Sequence, residues 1–265
     1  MEITQASPKR IWVGKVPFEV TSLSGAVSRV IDAATAVESL SVRLSNAYCV
    51  ALAAKEDEYS KLLNGHGLNF PDGTPVVWFM RLRSRNSGAG RVRGPSLFVE
   101  TLRQTEGTAV RHFFLGTTDE TLRRLTDAIE TNYPGAQIAG SYSPPFAPVS
   151  PEITASCTAE VRKTNATIVW VALGTPKQDF LAQALAEKVG LPCIAVGAAF
   201  DFVAGTTKEA PTWIQNSGLE WLYRFASEPK RLWRRYLIGN IQFLRSATGE
   251  LLANTRHNPP RFREM

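Results

Sequence analysis

Several features that mark other protein classes are missing from this chain of 265 residues. No stretch of about 18 uncharged apolar residues occurs, so we expect no membrane-spanning helix. The first ten residues are polar and lack an apolar segment, which predicts no secretory signal. The three cysteines, Cys49, Cys157 and Cys193, are widely spaced and form no C-x-x-C pair. Their spacing argues against a disulfide framework or a zinc site and favours a reducing compartment.

Sequence motifs of several common enzyme classes are also absent. The chain has no G-x-G-x-x-G after a strand, no Walker lysine motif and no G-x-S-x-G elbow. Its three histidines, His66, His112 and His257, show no metal-ligand spacing. No D-x-D occurs, and we expect the nearest approach, Glu56-Asp57-Glu58, to lie on a solvated helix face. We therefore expect neither a bound metal nor another cofactor.

Positive charge is concentrated in the C-terminal part of the chain. Residues 221–265 contain nine Lys and Arg against three Asp and Glu, which accounts for the whole formal net charge of +6. Residues 1–220 are therefore neutral overall, and with 44% hydrophobic residues in the chain they can form a full core. A basic tail on a neutral body predicts an anionic partner or a membrane surface.

The body of the chain alternates short apolar runs with helix-like stretches. The candidate strands are residues 11–16, 42–45, 112–115, 137–140, 168–173 and 193–196. The candidate helices are residues 22–39, 47–62, 75–83, 96–104, 119–132, 151–163 and 177–188. This alternation predicts an α/β fold with mostly parallel, doubly wound, Rossmann-like sheets. We expect a catalytic core over residues 1–217, a basic amphipathic helical appendage over 218–248 and a flexible tail over 249–265.

The appendage combines arginines with Trp, Tyr and Leu, and Pro229 is expected to separate two helices. This composition is typical of a helix that lies in a membrane interface. A C-terminal helix packed on the core with a solvated basic face would have the same pattern, so both interpretations stay open. A body without its docked tail would expose apolar surface and could form homo-oligomers.

Three loops at expected strand ends could carry chemistry, since ligands of doubly wound sheets bind beyond the carboxyl ends of the strands. Asp72, between an apolar strand and a helix, could abstract a proton from an attacking hydroxyl, or could be an ordinary turn or cap residue. The second loop, Gly174-Thr175-Pro176-Lys177, could offer backbone N–H groups and a lysine charge to a phosphate. An ordinary strand-to-helix turn is the alternative.

The third loop extends from Gly197 through Phe200 to Asp201. Its small residues would let the backbone approach a ligand closely, and Asp201 could hold a sugar hydroxyl or a nucleobase edge. A tightly packed turn would have the same composition. None of the three loops identifies a function by itself.

Taken in order, these segments resemble the WecG/TagA/CpsF family of bacterial glycosyltransferases over about residues 11–244. The segments that carry the resemblance are Leu44-Ser45-Asn46-Ala47, Asn69-Phe70-Pro71-Asp72-Gly73-Thr74-Pro75, Gly94-Pro95-Ser96-Leu97-Phe98, Phe113-Phe114-Leu115-Gly116, Leu173-Gly174-Thr175-Pro176-Lys177-Gln178-Asp179, the run from Val196 to Gly205, Gly218-Leu219-Glu220-Trp221-Leu222-Tyr223-Arg224-Phe225, and the run from Glu228 to Tyr236. Each is weak alone, and their order and spacing make the set specific.

The resemblance implies an inverting, metal-independent transfer from a UDP-sugar donor to a polyprenyl-diphosphate-linked sugar acceptor. It implies that Asp72 is the general base, that Ser45 and Asn46 correspond to the family's Thr-Asn pair, and that Gln178 is an active-site glutamine. Asp179 stands where the family often has Glu. Ser96 stands where an acidic residue commonly follows Gly-Ser in the family, which could mark a different acceptor.

The same resemblance implies a C-terminal appendage that closes over the cleft and supplies arginines to the leaving diphosphate. Arg224, Arg231 and Arg234 are the candidates in this sequence. The implied location is peripheral, at the cytoplasmic face of the inner membrane, with the appendage on anionic lipid. Two other functions stay open on the residues alone: a basic nucleic-acid-binding module, against which the neutral body argues, and a non-catalytic nucleotide-sugar-binding scaffold.

Overall fold

The structure is a computed structural model that describes residues 9–84, 88–217, 220–227 and 239–257. The strands are β1 (Arg10–Val13), β2 (Val16–Glu19), β3 (Leu40–Ser45), β4 (Leu68–Pro71), β5 (Arg111–Gly116), β6 (Gln137–Tyr142), β7 (Ile168–Ala172) and β8 (Pro192–Ala195). The helices are α1 (Leu23–Thr35), α2 (Ala47–Lys55), α3 (Asp57–Asn64), α4 (Thr74–Arg83), α5 (Gly94–Gln104), α6 (Asp119–Asn132), α7 (Pro151–Arg162), α8 (Lys177–Val189), α9 (Ala199–Val203), α10 (Thr212–Ser217), α11 (Glu220–Ser227) and α12 (Gly239–His257).

The central sheet has six parallel strands in the order β4-β3-β8-β7-β5-β6. The register aligns the strand ends, because Ser45 pairs with Pro71 and Gly116 pairs with Ala172. The loops after β3, β4, β5, β7 and β8 therefore meet at one edge of the sheet. This arrangement confirms the expected doubly wound, Rossmann-like α/β fold.

Helices cover both faces of this sheet and enclose separate hydrophobic clusters. Helices α1, α5, α6 and α9 contribute to the cluster on one face, and α7 and α8 contribute to the cluster on the other. The chain therefore leaves β7 toward one face, through α8, and leaves β8 toward the opposite face, through α9. Such a divergence opens a crevice between two neighbouring strand ends, which is where ligands bind in open α/β sheets.

Local sequence signals explain many of these elements. Helix α6 begins where Thr118-Asp119-Glu120 predicts a start, and the Thr118 side chain accepts the backbone N–H of Thr121. Its buried residues Leu122, Leu125 and Ile129 recur at helical spacing and face the core. The expected helix beginning is therefore confirmed.

Two expected elements are divided in the structure. The single strand expected over residues 11–16 is the antiparallel hairpin of β1 and β2, because Gly14 (φ 58°) allows a tight turn. The helix expected over residues 47–62 breaks at Glu56, whose extended backbone (φ −110°, ψ 106°) joins α2 to α3. The single helix expected over residues 47–62 is therefore wrong, whereas Glu56, Asp57 and Glu58 are exposed at the beginning of α3, as expected for a solvated face.

Helix α12 packs on a third hydrophobic cluster, together with the β1–β2 hairpin and helices α2, α3 and α4. Phe243 and Ala247 are buried one turn apart, and the Phe243 ring contacts the Phe79 ring edge-on, with centroids 5.2 Å apart. Ile241 and Leu244 are exposed on the same helix. The helix thus uses one face for the core and presents further apolar side chains outward. It extends past residue 248, where the appendage is expected to end.

No helix in the described part of the chain is long and apolar enough to cross a bilayer.

Candidate active site

A cleft of about 1330 Å³ opens at the carboxyl edge of the sheet. Eight of the residues singled out from the sequence line it: Asn46, Asp72, Gly174, Thr175, Lys177, Gln178, Gly197 and Asp201. They come from four separate strand-to-helix connections. The sheet therefore brings the expected proton acceptor and the expected phosphate-binding loop into one cavity.

Asp72 is held at the cleft by the pairing of β3 with β4. Its backbone N–H donates to the Ser45 carbonyl at 2.9 Å, which continues the contact between the two strands by one residue. The next residue, Gly73, has a φ of 120°, a conformation that side chains with a Cβ rarely adopt, and α4 begins directly after it. This sharp turn fixes the position of the Asp72 backbone on the cleft wall.

Asn46 lies beside Asp72 on the same wall. Its Oδ1 accepts the Tyr48 backbone N–H at 3.0 Å and so caps the beginning of α2. A Cβ built on Gly73 would lie 3.6 Å from the Asn46 Cβ, so the loops after β3 and β4 run close together. The two polar side chains are thus placed next to each other by a cap and a turn.

Gln178 joins the opposite pair of loops, those after β7 and β8. Its Oε1 accepts the Gly174 backbone N–H at 3.0 Å, and its amide atoms lie 3.8 Å from where a Cβ on Gly197 would be. The side chain is 3% exposed. Gln178 therefore stabilises the crevice between β7 and β8, at the point where their helices diverge to opposite faces.

Lys177 lies at the beginning of α8, next to a loop that the sequence argument did not single out. Its ammonium donates to the Ala147 carbonyl at 3.2 Å and lies 4.7 Å from the centre of the Phe146 ring. Phe146 is 99% exposed at the cleft. An aromatic residue directly after Pro144-Pro145, at the end of β6, was the available sequence signal for it.

Three expected site residues do not line the cleft. Phe200 is fully buried in the core, where its ring contacts those of Phe98 and Phe114. Ser45 is 1% exposed, and its Oγ has no hydrogen-bond partner among the described residues. Pro176 precedes α8 as its cap residue. Phe200 is thus a packing residue that supports the loop rather than a side chain open to a ligand.

The appendage arginines are described only in part. Arg224 belongs to α11, and its side chain lies outside the described part of the structure. Arg231 and Arg234 lie outside the described residues.

Comparison with known proteins decides the class of this cleft. Residues 11–257 match the model of the glycosyl transferase WecG/TagA/CpsF family. The chain belongs to this family. It is also 30% identical, over 190 residues, to the N-acetylglucosaminyldiphosphoundecaprenol N-acetyl-beta-D-mannosaminyltransferase of Bacillus subtilis (strain 168). That match covers 71% of this chain and 72% of the relative. The protein is a glycosyltransferase.

This glycosyltransferase also contains a cluster of ion pairs at the cleft that sequence reasoning missed. The Glu220 carboxylate of α11 accepts hydrogen bonds from the guanidinium groups of Arg91 and Arg93. Arg93 also contacts Glu209 at 2.5 Å and is 7% exposed as a residue. Burial raises the pKa of Glu220, but the hydrogen bonds and charges of Arg93 and Arg91 outweigh it, and the net pKa is lowered. The cluster ties α11 to the segment that precedes α5.

A second polar network lies beneath the cleft. Asp179, the neighbour of Gln178, is 2% exposed and accepts the Tyr59 hydroxyl at 2.7 Å. Arg43 is fully buried and donates to Asn69 Oδ1 at 3.0 Å and to Gln183 Oε1 at 3.1 Å. Burial lowers the pKa of Arg43 to about 10, although the nearby Asp179 charge opposes that shift. Asp179 therefore acts below the cleft, on the packing of α8, rather than on its wall.

Within the described residues, no three His, Cys, Asp or Glu side chains are grouped so that they could hold a metal ion.

Proposed function

We propose that this glycosyltransferase moves a sugar from a UDP-sugar to a polyprenyl-diphosphate-linked acceptor, with inversion at the anomeric carbon and without a metal. The observation that carries the proposal is the cleft itself. Asp72 and Asn46 lie on one wall, and the loop that contains Gly174 and Lys177 lies on the other. One wall offers a proton acceptor, and the other offers a backbone turn, a helix N-terminus and a cation.

The proposed reaction is a single displacement. The acceptor hydroxyl gives its proton to the Asp72 carboxylate, and its oxygen forms a bond to the anomeric carbon of the donor sugar. The bond from that carbon to the β-phosphate oxygen breaks, and UDP leaves with the electron pair. Attack from the face opposite the leaving group inverts the configuration. Asn46, beside Asp72, orients the acceptor sugar.

The donor diphosphate belongs at the beginning of α8. This helix has 13 residues, and the positive end of its dipole, together with the Lys177 ammonium, attracts negative charge. Asp201, which lines the same cleft beyond β8, is suited to a ribose hydroxyl or a base edge. In the absence of a metal, the charge of the departing diphosphate still has to be neutralised. We assign that role to the appendage arginines Arg224, Arg231 and Arg234.

The acceptor defines where the enzyme works. The Bacillus subtilis relative is named for an acceptor in which a sugar is joined through a diphosphate to undecaprenol. A lipid-linked acceptor of that kind would bring this enzyme to a membrane surface. The basic residues that follow position 221 are suited to anionic headgroups, so we propose a peripheral location at the cytoplasmic face of the inner membrane.

The proposal is tested by incubating the purified full-length protein in detergent with a panel of UDP-sugars and a polyprenyl-diphosphate-linked sugar, with EDTA present. We expect one donor to release UDP only when the acceptor is added, and the product to have the inverted anomeric configuration by NMR. Release that stops with EDTA and returns with a divalent cation would contradict the metal-independent mechanism. A product with retained configuration would contradict the single displacement.

A further inference from the structure

A second, smaller cavity of about 330 Å³ lies next to the active-site cleft. We call it the apolar groove. Its walls are formed mainly by aromatic and aliphatic side chains from α4, α11 and α12: Pro75, Trp78, Phe79, Trp221, Phe243 and Leu244. Helix α4 thus combines with α11 and α12, which lie far from it in the chain, to form one apolar channel.

The apolar groove is continuous with the catalytic wall of the cleft. Asn46, Tyr48, Asp72 and Glu220 line both cavities. A ligand with its reacting hydroxyl at Asp72 could therefore extend from the cleft into the adjoining groove. The groove approaches the candidate base from the side of α4, whereas the donor loop after β7 lies only in the larger cleft.

Two residues of the groove wall, Trp78 and Leu244, are exposed, and each has another exposed apolar residue one turn away on its helix. On α4, Trp78 is 60% exposed and Leu82, one turn later, is 63% exposed. On α12, Ile241 is 56% exposed and Leu244 is 52% exposed. Exposed large apolar side chains in the wall of an apolar channel favour an interaction surface.

We propose that the apolar groove binds the isoprene units of the acceptor that are nearest to its diphosphate. This inference rests on the proposed function, because the acceptor lipid is joined covalently to the sugar through that diphosphate. When the sugar hydroxyl lies at Asp72, the first isoprene unit follows directly after that sugar ring and its diphosphate, so it must lie close to the edge of the cleft. The groove is the apolar cavity that shares Asp72 with the cleft. The rest of the chain would continue past Trp78 and Leu244 into the bilayer.

The proposal assigns part of lipid recognition to α4, which belongs to the catalytic core rather than to the basic appendage. Trp78 would make one of the largest contacts, together with Trp221 of α11, since a tryptophan offers a large apolar area. Truncation of one such contact removes about 1.5 kcal/mol of apolar burial, which corresponds to about a tenfold loss in affinity.

The first test compares two acceptors that carry the same sugar and diphosphate, a long acceptor with a full polyprenyl chain and a short acceptor with a methyl group in place of the lipid. We expect W78A and L244A each to raise the KM for the long acceptor about tenfold while leaving the donor KM and the turnover of the short acceptor unchanged. W213A is the matched control, because Trp213 on α10 is 71% exposed and does not line the groove.

Equal losses with both acceptors would overturn the proposal, and so would an equal loss in W213A, which would indicate general surface binding. Failure of the wild-type protein to transfer to either acceptor, with any UDP-sugar, would count against the proposed function instead. A second measurement is independent of transfer. A benzophenone-bearing prenyl diphosphate should cross-link to peptides of α4 and α12, and unlabelled polyprenyl diphosphate should compete. Labelling confined to other segments, or labelling without competition, would refute the assignment and would direct attention to a peptide or a second copy of the chain.

Discussion

The two walls of the cleft are built by the same kind of strand-to-helix connection, yet they present opposite chemistry. The wall formed after β3 and β4 presents the side chains of Asn46 and Asp72 and continues into the apolar groove. The wall formed after β7 and β8 presents two glycines with positive φ, Gly174 and Gly197, and the Lys177 charge. We propose that the first wall binds the lipid-linked hydroxyl and that the second binds the donor diphosphate.

The two walls should respond differently to side-chain substitutions. On the β3–β4 wall the expected chemistry depends on one carboxylate, so a single substitution should remove it. On the β7–β8 wall the proposed binding of the diphosphate would depend largely on backbone geometry, which a side-chain substitution changes only indirectly. The expected effects therefore decrease from the first wall to the second.

Substitution of the candidate base should have the largest effect. We expect D72N to lower kcat by about 10²-fold or more, because asparagine cannot accept the acceptor proton, while the donor Kd measured by calorimetry stays within about twofold. The variant should fold normally, since the Asp72 backbone contact to Ser45 is retained. A kcat within about threefold of wild type would remove Asp72 from the role of base and would erase the contrast between the walls.

Acid pH should weaken the core beneath the second wall. His112 on β5 is fully buried, accepts the Trp170 indole N–H at 3.0 Å and contacts Thr105 Oγ1 at 2.9 Å. Burial lowers its pKa from 6.5 to about 4. Between these two pH values, His112 is protonated in the unfolded chain but neutral in the folded protein. We expect the free energy of unfolding to fall by about 2 kcal/mol between pH 8 and pH 5 from this group.

The measurement is urea denaturation at the two pH values. The H112Q variant serves as the control, because it keeps a buried polar group but cannot titrate. We expect the free energy of unfolding to fall more in wild type than in H112Q between the two pH values, and the difference is the contribution of His112. Parallel pH profiles for the two proteins would show that the histidine is not protonated on unfolding as inferred.

Loss of the bridging glutamine should have an intermediate effect on donor binding. Gln178 accepts the Gly174 N–H and lies close to Gly197 in the loop after β8, so Q178A removes this hydrogen bond and the side chain between the two loops. A buried hydrogen bond contributes about 1 kcal/mol, and we expect the donor KM to rise about five- to tenfold with the acceptor KM unchanged. Steady-state kinetics with each substrate varied in turn checks this split. A rise confined to the acceptor KM would show that Gln178 acts on acceptor binding, as the first wall does.

Removal of the lysine charge should have the smallest effect. Lys177 lies at the rim of the cleft, and its ammonium already interacts with the Ala147 carbonyl and the Phe146 ring. K177A should therefore raise the donor KM only about threefold. The effect should diminish with added salt, because an exposed charge is screened. A loss as large as that of D72N would show that the second wall also depends on one side chain.

Local sequence patterns determined much of this protein. The alternation of apolar runs with amphipathic stretches is enough to predict a parallel doubly wound sheet, because buried strands and amphipathic helices each have a characteristic spacing of hydrophobic residues. The position of Asp72 between an apolar strand and a helix predicts a cleft residue for the same reason. The order and spacing of the motifs further indicate the glycosyltransferase family, which the family match confirms.

Other features depend on contacts that no local pattern encodes. The period of residues 11–16 does not show that Gly14 turns the chain into a hairpin, and a loop position does not show that the Phe200 ring enters the core. The cluster of Arg91, Arg93 and Glu220 joins residues that are 129 and 127 positions apart. The apolar groove likewise requires α4, α11 and α12 to meet. These features depend on strand order and helix packing, so the tertiary structure alone decided them.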